Sequence, residues 1–373
     1  MIVLISNPFW QTEIFSIILF LALILSLRRR ADQDFFPVAV SQELKGLAIL
    51  TIVFAHVAYA LVSDSIFLNP LSTMAGVGVN LFLMLSGYGL IISSLKKPGT
   101  VWQFYKYRLA KLYIPFWICL ITFFALDFFW LHLNYGLVYM VQSFFGIFSR
   151  ANLYLDVNAP FWYFTWIVIY YLIFPWLLIR KAPWLSAILI YLVTFALLLW
   201  PPYFLSNVSY LYRVHLMAFP LGILLGWFFN NSAPWLKVKE FFSRIKITKK
   251  YQAILLRAVS SLLLLAVILY FAKNSGVGEK PIIEETISII TCLAILALFL
   301  IKRVEIKAFY WLGFFSYEIY MFHWPLMYRY DFLFKYLPAW LALALYLLVF
   351  VGLGWLMKLL IDKSGQLLSK KSQ

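Results

Sequence analysis

A lysine and a histidine share one apolar stretch near the start of the chain, and their spacing suits chemistry on a long anionic molecule. Lys45 precedes His56 by eleven residues. On an α-helix, eleven steps rise about 16 Å and return to within about 20° of the same face. A lysine at the water boundary can bind phosphates, while a deeper imidazole can act on the far end of the same molecule. The alternative is a lysine that extends to the membrane surface and a histidine that only packs.

A second histidine lies among polar residues near the end of the chain. Ser316 and Tyr320 precede His323 by seven and three residues, so the three side chains share a helix face. His323 lies about 21 Å along a helix that starts near Phe309, a depth like that of His56, and we expect both imidazoles to face one cavity. Pro325 should free a backbone carbonyl one turn earlier and kink the helix. The alternative is a structural histidine bonded to a tyrosine or a carbonyl.

Two more polar groups accompany these histidines. Arg108 and Lys111 are three residues apart and project together from one helix face, which suits a phosphate group, although a basic cluster at a helix end is the alternative. Asn80 and Ser86 interrupt a glycine-rich apolar run over 76–89, whose glycines we interpret mainly as close-packing positions.

Three other ionisable residues lie at or near the ends of apolar runs. Asp127 is predicted either to orient an imidazole or to reach interfacial water. His132 and His215 fall at predicted loop ends, where we expect solvated or interfacial side chains and no catalytic role.

The composition shows which elements must position these residues. Hydrophobic residues make up 64% of the 373 residues, charged residues make up only 12%, and the mean hydropathy is +0.88. A soluble domain is nearer half apolar and about a quarter charged, so this composition excludes soluble globular and disordered proteins. The continuous apolar runs also exclude an outer-membrane barrel, whose strands alternate. The fold class is therefore all-α, a polytopic transmembrane helical bundle.

Eleven apolar runs are long enough to be transmembrane helices, or ten if a weakly bounded run does not span. They lie near 12–27, 44–62, 76–95, 112–131, 161–179, 184–203, 214–230, 253–272, 284–301, 309–328 and 338–357. Alternate connections hold 25 of the lysines and arginines and the opposite set holds 6. The positive-inside rule then predicts an outside N-terminus and a cytosolic C-terminus. Topology thus accounts for the net charge of +16, and we expect no nucleic-acid partner.

Four segments give the chain a resemblance to the acyltransferase type 3 family of integral membrane enzymes. Lys45 to His56 resembles the family's basic-residue-x10-His motif, and residues 80–88 resemble its FF-x-x-SG helix. Residues 108–115 resemble its Arg-x-x-Arg motif before a proline. Residues 316–325 resemble its SY-x-x-Y-x-x-H-x-P helix, and residues 161–164 with Pro175 fit its mid-chain helix.

The resemblance implies a single membrane-embedded domain over 1–373, with a family-like core at about 40–360 and no soluble extra domain. It implies transfer of an acyl group, usually acetyl, from cytosolic acyl-CoA to a hydroxyl of a glycan or glycolipid outside the cell membrane. Acetyl-CoA would be a co-substrate, with no permanently bound cofactor and no metal. Membrane lipid surrounds such an enzyme, and a homodimer is compatible with its small-residue helix faces.

The resemblance also implies roles for the residues singled out above. The expected catalytic residues are His56 and His323, and the expected acyl-CoA-binding residues are Lys45, Arg108 and Lys111. The expected supporting or substrate-positioning residues are Asn80, Ser86, Ser316, Tyr317, Glu318 and Tyr320. The chain departs from the family at three positions: Lys45 where arginine is common, Lys111 where a second arginine would bind bidentately, and Asn80 where an acid is common.

Two other function classes stay open from the sequence. A transporter or flippase for a lipid-linked sugar would have a midplane site between inverted repeats, and no repeat is evident here. A long outer loop with several arginines and acids would favour a membrane glycan polymerase. The outer loop at 132–160 holds only Arg150 and Asp156. Consumption of acyl-CoA would separate the acyltransferase from both.

Overall fold

The computed structural model describes residues 5–30, 35–60, 67–153, 155–230, 233–244, 250–272, 274–275 and 280–370. Of the basic residues counted for orientation, Lys246, Lys249, Lys273 and Lys371 lie outside the described residues. Within the described ranges, nine helices are long and apolar enough to cross a membrane, and Pro183–Leu199 is a shorter apolar helix. The predicted polytopic helical bundle is confirmed.

Sixteen α-helices and two short strands make up the described structure. The first half of the chain contains α1 (Pro8–Leu25), β1 (Leu27–Arg29), α2 (Val38–Ala60), α3 (Ala75–Lys96), α4 (Val101–Phe129), α5 (Leu137–Phe144), α6 (Trp162–Leu177) and α7 (Pro183–Leu199). The second half contains α8 (Tyr203–Ser206), α9 (Ser209–Arg213), α10 (Ala218–Phe229), α11 (Ala233–Arg244), α12 (Lys250–Ala272), α13 (Pro281–Ile301), β2 (Val304–Ile306), α14 (Lys307–Phe314), α15 (Ser316–Trp324) and α16 (Ala339–Lys370).

Each predicted apolar run coincides with observed helix, but the run at 309–328 is not one continuous helix. It is divided into α14, α15 and a π-helical turn over Pro325–Arg329. Pro325 has no N–H to continue the helical bonding pattern, so the regular helix ends where the sequence predicts a kink. The run at 214–230 also begins later than expected, because a turn separates α9 from α10.

The connecting segments lie at two ends of the bundle, and contacts join those at one of them. Strands β1 and β2 pair antiparallel, with Arg28 opposite Glu305, and Arg180 donates to the carbonyl of Gly99 at 2.8 Å. We call the end formed by residues 26–30, 97–100, 178–182 and 302–307 the basic end. The opposite end, formed by residues 127–153, 155–158 and 325–331, is the far end. The pairing of basic connections agrees with the predicted topology, and the orientation in the cell stays a prediction.

The start of α2 is held against the basic end by Glu43. Its Oε1 accepts a hydrogen bond from the backbone N–H of Ile306 at 2.5 Å and forms an ion pair with Lys302. A little further along, α14 crosses α2 at Gly46 and Gly313. A Cβ at Gly313 would lie 1.7 Å from the carbonyl oxygen of Gln42, so this crossing requires glycine. These contacts fix the position of Lys45 along the axis of the bundle.

Candidate active site

A cavity of about 450 Å³ lies among α2, α3, α4, α6, α9 and α15. Most residues singled out in the sequence line it. The lining includes Lys45, His56, Ser86, Arg108, Lys111, Ser316, Tyr317 and Tyr320. Along α3, the lining runs from Ala75 to Gly89, which is about 21 Å of helix. The cavity is therefore long enough to hold a chain-like molecule between the two ends of the bundle.

Three cations lie where the cavity meets the basic end. Lys45 and Arg108 are half-buried and Lys111 is exposed. The Nη2 of Arg108 donates to the hydroxyl of Ser93 at 2.6 Å, which fixes one side of the guanidinium. Among the described residues that line the cavity, there is no carboxylate to neutralise these cations. This charge favours an anionic ligand, and a phosphate forms strong charge-assisted hydrogen bonds with arginine and lysine.

The two predicted histidines meet at the other half of the cavity. His56 Nδ1 and His323 Nε2 are 2.7 Å apart, which is a hydrogen bond. His56 lines the cavity, whereas His323 is completely buried behind it. The expectation that both imidazoles face one cavity is therefore met by His56 alone, and His323 reaches the cavity through His56.

The backbone of α15 sets the protonation pattern of this pair. His323 Nδ1 lies 3.0 Å from the carbonyl oxygen of Ile319 and 2.8 Å from that of Tyr320. Carbonyl oxygens only accept hydrogen bonds, so Nδ1 carries the proton, and the Nε2 of a neutral His323 must accept from His56. A neutral His56 that donates through Nδ1 keeps a lone pair on Nε2. That nitrogen has no protein partner among the described residues and is placed to act as a base or nucleophile.

Side chains from two other segments form hydrogen bonds at the helix break that follows His323. The carbonyl oxygen of Met321, which Pro325 leaves without its helical partner, accepts a hydrogen bond from Asn158 Nδ2 at 2.9 Å. The thiol of Cys119 also lies 3.5 Å from this oxygen. The carbonyl that the sequence predicts to lose its helical partner is therefore the one at Met321, and Asn158 supplies its hydrogen bond instead. This bond connects α15 to the segment before α6.

Two tyrosines of α15 form the wall of the cavity and have their hydroxyl protons engaged. Tyr317 donates to the carbonyl of Leu112 at 2.6 Å, and Tyr320 donates to that of Pro160 at 2.8 Å. Ser86 lies within 3.0 Å of the hydroxyl of Tyr171 on the opposite wall. Tyr171 is a lining residue that the sequence did not single out, because it lies in an aromatic run without a distinguishing pattern.

One sequence-based expectation is wrong, that for His215, while the supporting roles of Asn80 and Glu318 stay predictions. His215, expected to be solvated or interfacial, is only 4% exposed and lines the cavity. Asn80 does not line the cavity, because it lies behind His215 and is hydrogen-bonded to it. Glu318 is half-buried outside the cavity lining and interacts electrostatically with Lys358 of α16. His132 is exposed, as expected.

Asp127 neither orients an imidazole nor reaches water. It is completely buried at the far end, where it forms an ion pair with Arg329 and accepts a hydrogen bond from Tyr135 at 2.5 Å. Arg329 also donates to the carbonyl of Asp156 at 2.7 Å. This network joins the end of α4 to the turn that follows His323. We therefore assign Asp127 a structural role.

A family model described as an acyltransferase domain, Acyl_transf_3, matches residues 44–359. The chain belongs to the acyltransferase type 3 family. The family match covers the cavity and both histidines, from the first turns of α2 into α16, and leaves α1 outside. It identifies the chain as a membrane acyltransferase. No curated protein and no solved structure matches the chain significantly.

Proposed function

We propose that this family member transfers an acyl group, most simply acetyl, from acyl-CoA in the cytosol to a hydroxyl of a glycan or glycolipid outside the cell membrane. The observation that carries the proposal is the cavity itself. It has three cations at the basic end and the His56–His323 pair about 16 Å further along α2.

The basic end suits the nucleotide phosphates of acyl-CoA. Lys45, Arg108 and Lys111 provide positive charge without a competing carboxylate among the described lining residues. The pantetheine arm of coenzyme A is a long, flexible and largely uncharged chain. It fits a passage lined by apolar and aromatic side chains such as Phe82 and Tyr163. This placement carries the thioester toward His56 while the phosphates stay at the water boundary.

His56 supports either of two routes to the product. As a general base, its Nε2 takes the proton of the acceptor hydroxyl while the oxygen attacks the thioester carbonyl. The C–S bond then breaks, and the thiolate recovers the proton to leave as CoA thiol. As a nucleophile, Nε2 itself attacks the carbonyl, and the C–S bond breaks to release the thiolate. The acceptor oxygen then attacks the acyl group, the bond to Nε2 breaks, and the hydroxyl proton passes to the thiolate to give CoA thiol. In both routes His323 stabilises the charge that develops on His56.

The family match favours an acyltransferase over the transporter and polymerase alternatives. The cavity is also unlike a midplane site between inverted repeats, because its polar groups are divided between phosphate-binding cations and an imidazole pair. Within the described part of the chain, no structural feature specifically supports either alternative.

Sealed membrane vesicles test the donor and its side of the membrane. Inside-out vesicles that contain the protein should transfer label from external radiolabelled acetyl-CoA to a glycan or lipid fraction. Right-side-out vesicles should not, because the phosphates must enter at the cytosolic face. Vesicles with His56→Ala should incorporate no label, and those with the exposed His132→Ala should match wild type. Equal labelling with wild type and His56→Ala, or labelling only in right-side-out vesicles, would contradict the proposal.

A further inference from the structure

A second histidine lines the same cavity as His56 and is not used by the chemistry proposed for His56. His215 lies in the turn between α9 and α10, and its side chain is almost completely buried. Its ring stacks on the indole of Trp162, with centroids 5.6 Å apart and planes inclined by 16°. Both side chains line the cavity. A polar ring buried at this position calls for a hydrogen-bonding partner on each nitrogen.

One nitrogen of His215 has its partner in Asn80, and that contact determines where the proton lies. The Nδ2 of Asn80 donates to the hydroxyl of Ser288 at 2.8 Å and points toward the carbonyl of Val214 at 3.4 Å. The amide oxygen is therefore the atom that faces His215, and Nδ1 lies 2.8 Å from it. Because that oxygen only accepts, Nδ1 carries the proton, and the Nε2 of a neutral His215 is an acceptor.

The second nitrogen has no hydrogen-bond partner among the described residues. Since His215 lines the cavity, Nε2 is available to a donor group that enters there. Asn80 is itself completely buried and has its amide engaged on both sides, so the ring is held in one orientation. The arrangement therefore selects a ligand hydroxyl or N–H and does not suit a bare anion.

His215 lies in the half of the cavity that contains the His56 pair. Helices α3 and α6 run side by side, with Ser86 against Tyr171. From that contact, Asn80 lies about 9 Å and Trp162 about 13 Å further from the basic end, by helical rise. Trp162 and His215 are thus well separated from the three cations. A molecule bound against them meets the acyl group and not the phosphates.

The surroundings of His215 indicate a neutral ligand with both apolar and hydroxyl faces. Trp162, Tyr163 and Val214 line this half of the cavity, and no charged side chain does so among the described residues. A pyranose ring has this character, because its C–H face packs on aromatic rings while its hydroxyls donate and accept hydrogen bonds. A phosphate or carboxylate acceptor would find no counter-charge here.

We propose that His215, oriented by Asn80 and backed by Trp162, binds the acceptor by accepting a hydrogen bond from a non-reacting hydroxyl of a neutral sugar ring. The hydroxyl that is acylated then lies toward His56. This inference rests on the proposed function, since it names the acceptor class for the same cavity. His215 forms no covalent bond with the acyl group and is a substrate-binding residue.

The test measures how the acetyl group divides between water and sugar. Purified protein receives labelled acetyl-CoA with the methyl glycosides of glucose, galactose or N-acetylglucosamine, and both acetate and O-acetyl glycoside are quantified. Wild type should acetylate at least one glycoside. His215→Ala should lower the ratio of glycoside acetylation to hydrolysis about tenfold, because the ring hydroxyl loses its acceptor. His215→Gln, whose amide oxygen can accept the same bond, should recover part of that ratio.

Several controls separate binding from folding. The exposed His132→Ala should keep the wild-type ratio. If His215→Ala does not fold, as judged by size-exclusion profile and melting temperature, Trp162→Leu should lower the same ratio. A folded His215→Ala with an unchanged ratio would overturn the inference, and so would wild-type protein that hydrolyses acetyl-CoA but acetylates no glycoside. Wild-type protein that neither hydrolyses acetyl-CoA nor acetylates a glycoside, or turnover of acetyl-CoA that is unaffected by His56→Ala, would instead overturn the proposed function.

Discussion

Replacing His323 with leucine tests whether it acts through His56. The substitution removes the acceptor at 2.7 Å from His56 Nδ1 and leaves the backbone of α15 in place. A buried donor without a partner costs about 1–3 kcal/mol. If that cost falls on the reacting state, the rate decreases by about 5- to 160-fold, since about 1.36 kcal/mol corresponds to a factor of ten. We expect kcat to fall within this range, with little change in KM for acetyl-CoA.

Release of CoA thiol from acetyl-CoA, followed over a range of substrate concentrations, measures this effect. His323→Gln should retain more activity than His323→Leu, because its amide oxygen can accept the bond from His56. The double variant with His56→Ala should be no worse than His56→Ala alone, since the two residues act as a unit. The reasoning would be refuted by wild-type kcat in His323→Leu. It would also be refuted by a loss as complete as that of His56→Ala, which would make His323 the reacting group.

Three further outcomes follow from the structure. Lys111→Ala should raise KM for acetyl-CoA about three- to tenfold and leave kcat unchanged, because Lys111 lies at the cavity's basic end; steady-state kinetics measure this. Gly313→Ala should prevent folding, since a Cβ there meets backbone at 1.7 Å, while Gly352→Ala, with nothing within 4 Å, should give a wild-type size-exclusion profile. Asp127→Asn should destabilise the protein by about 3–5 kcal/mol, because the buried Arg329 loses its counter-charge; the thermal unfolding midpoint should fall while KM stays the same.

The sequence predicts the helical bundle and the similar depth of the two histidines, because both depend on local properties. Apolar runs of about 20 residues must form helices in a bilayer, since no water is present to bond the backbone. The depth of His56 and of His323 follows from counting residues along their helices. Their direct contact does not follow, because it depends on how α15 is rotated against α2. That rotation is set by contacts between distant segments. Gly313 of α14 packs against Gln42 of α2, and Asn158 donates a hydrogen bond to the carbonyl of Met321.

The position of His215 shows where local patterns stop being informative. His215 lies at the start of an apolar run, which suggested a surface position, but the turn between α9 and α10 folds inward and stacks it on Trp162. Periodicity cannot predict the path of such a turn. Glu318, in contrast, has an orientation that follows from the sequence. It is two residues after Ser316, about 200° around the helix, and so faces away from the side that Ser316, Tyr320 and His323 share.

Thiol release from acetyl-CoA by the purified protein, with wild type beside His56→Ala, tests the central claim most directly. The account predicts slow hydrolysis by wild type and none by His56→Ala, with both proteins giving the same size-exclusion profile and binding acetyl-CoA equally in calorimetry. Hydrolysis by a folded His56→Ala at the wild-type rate would contradict it, because the chemistry would then take place elsewhere in the molecule.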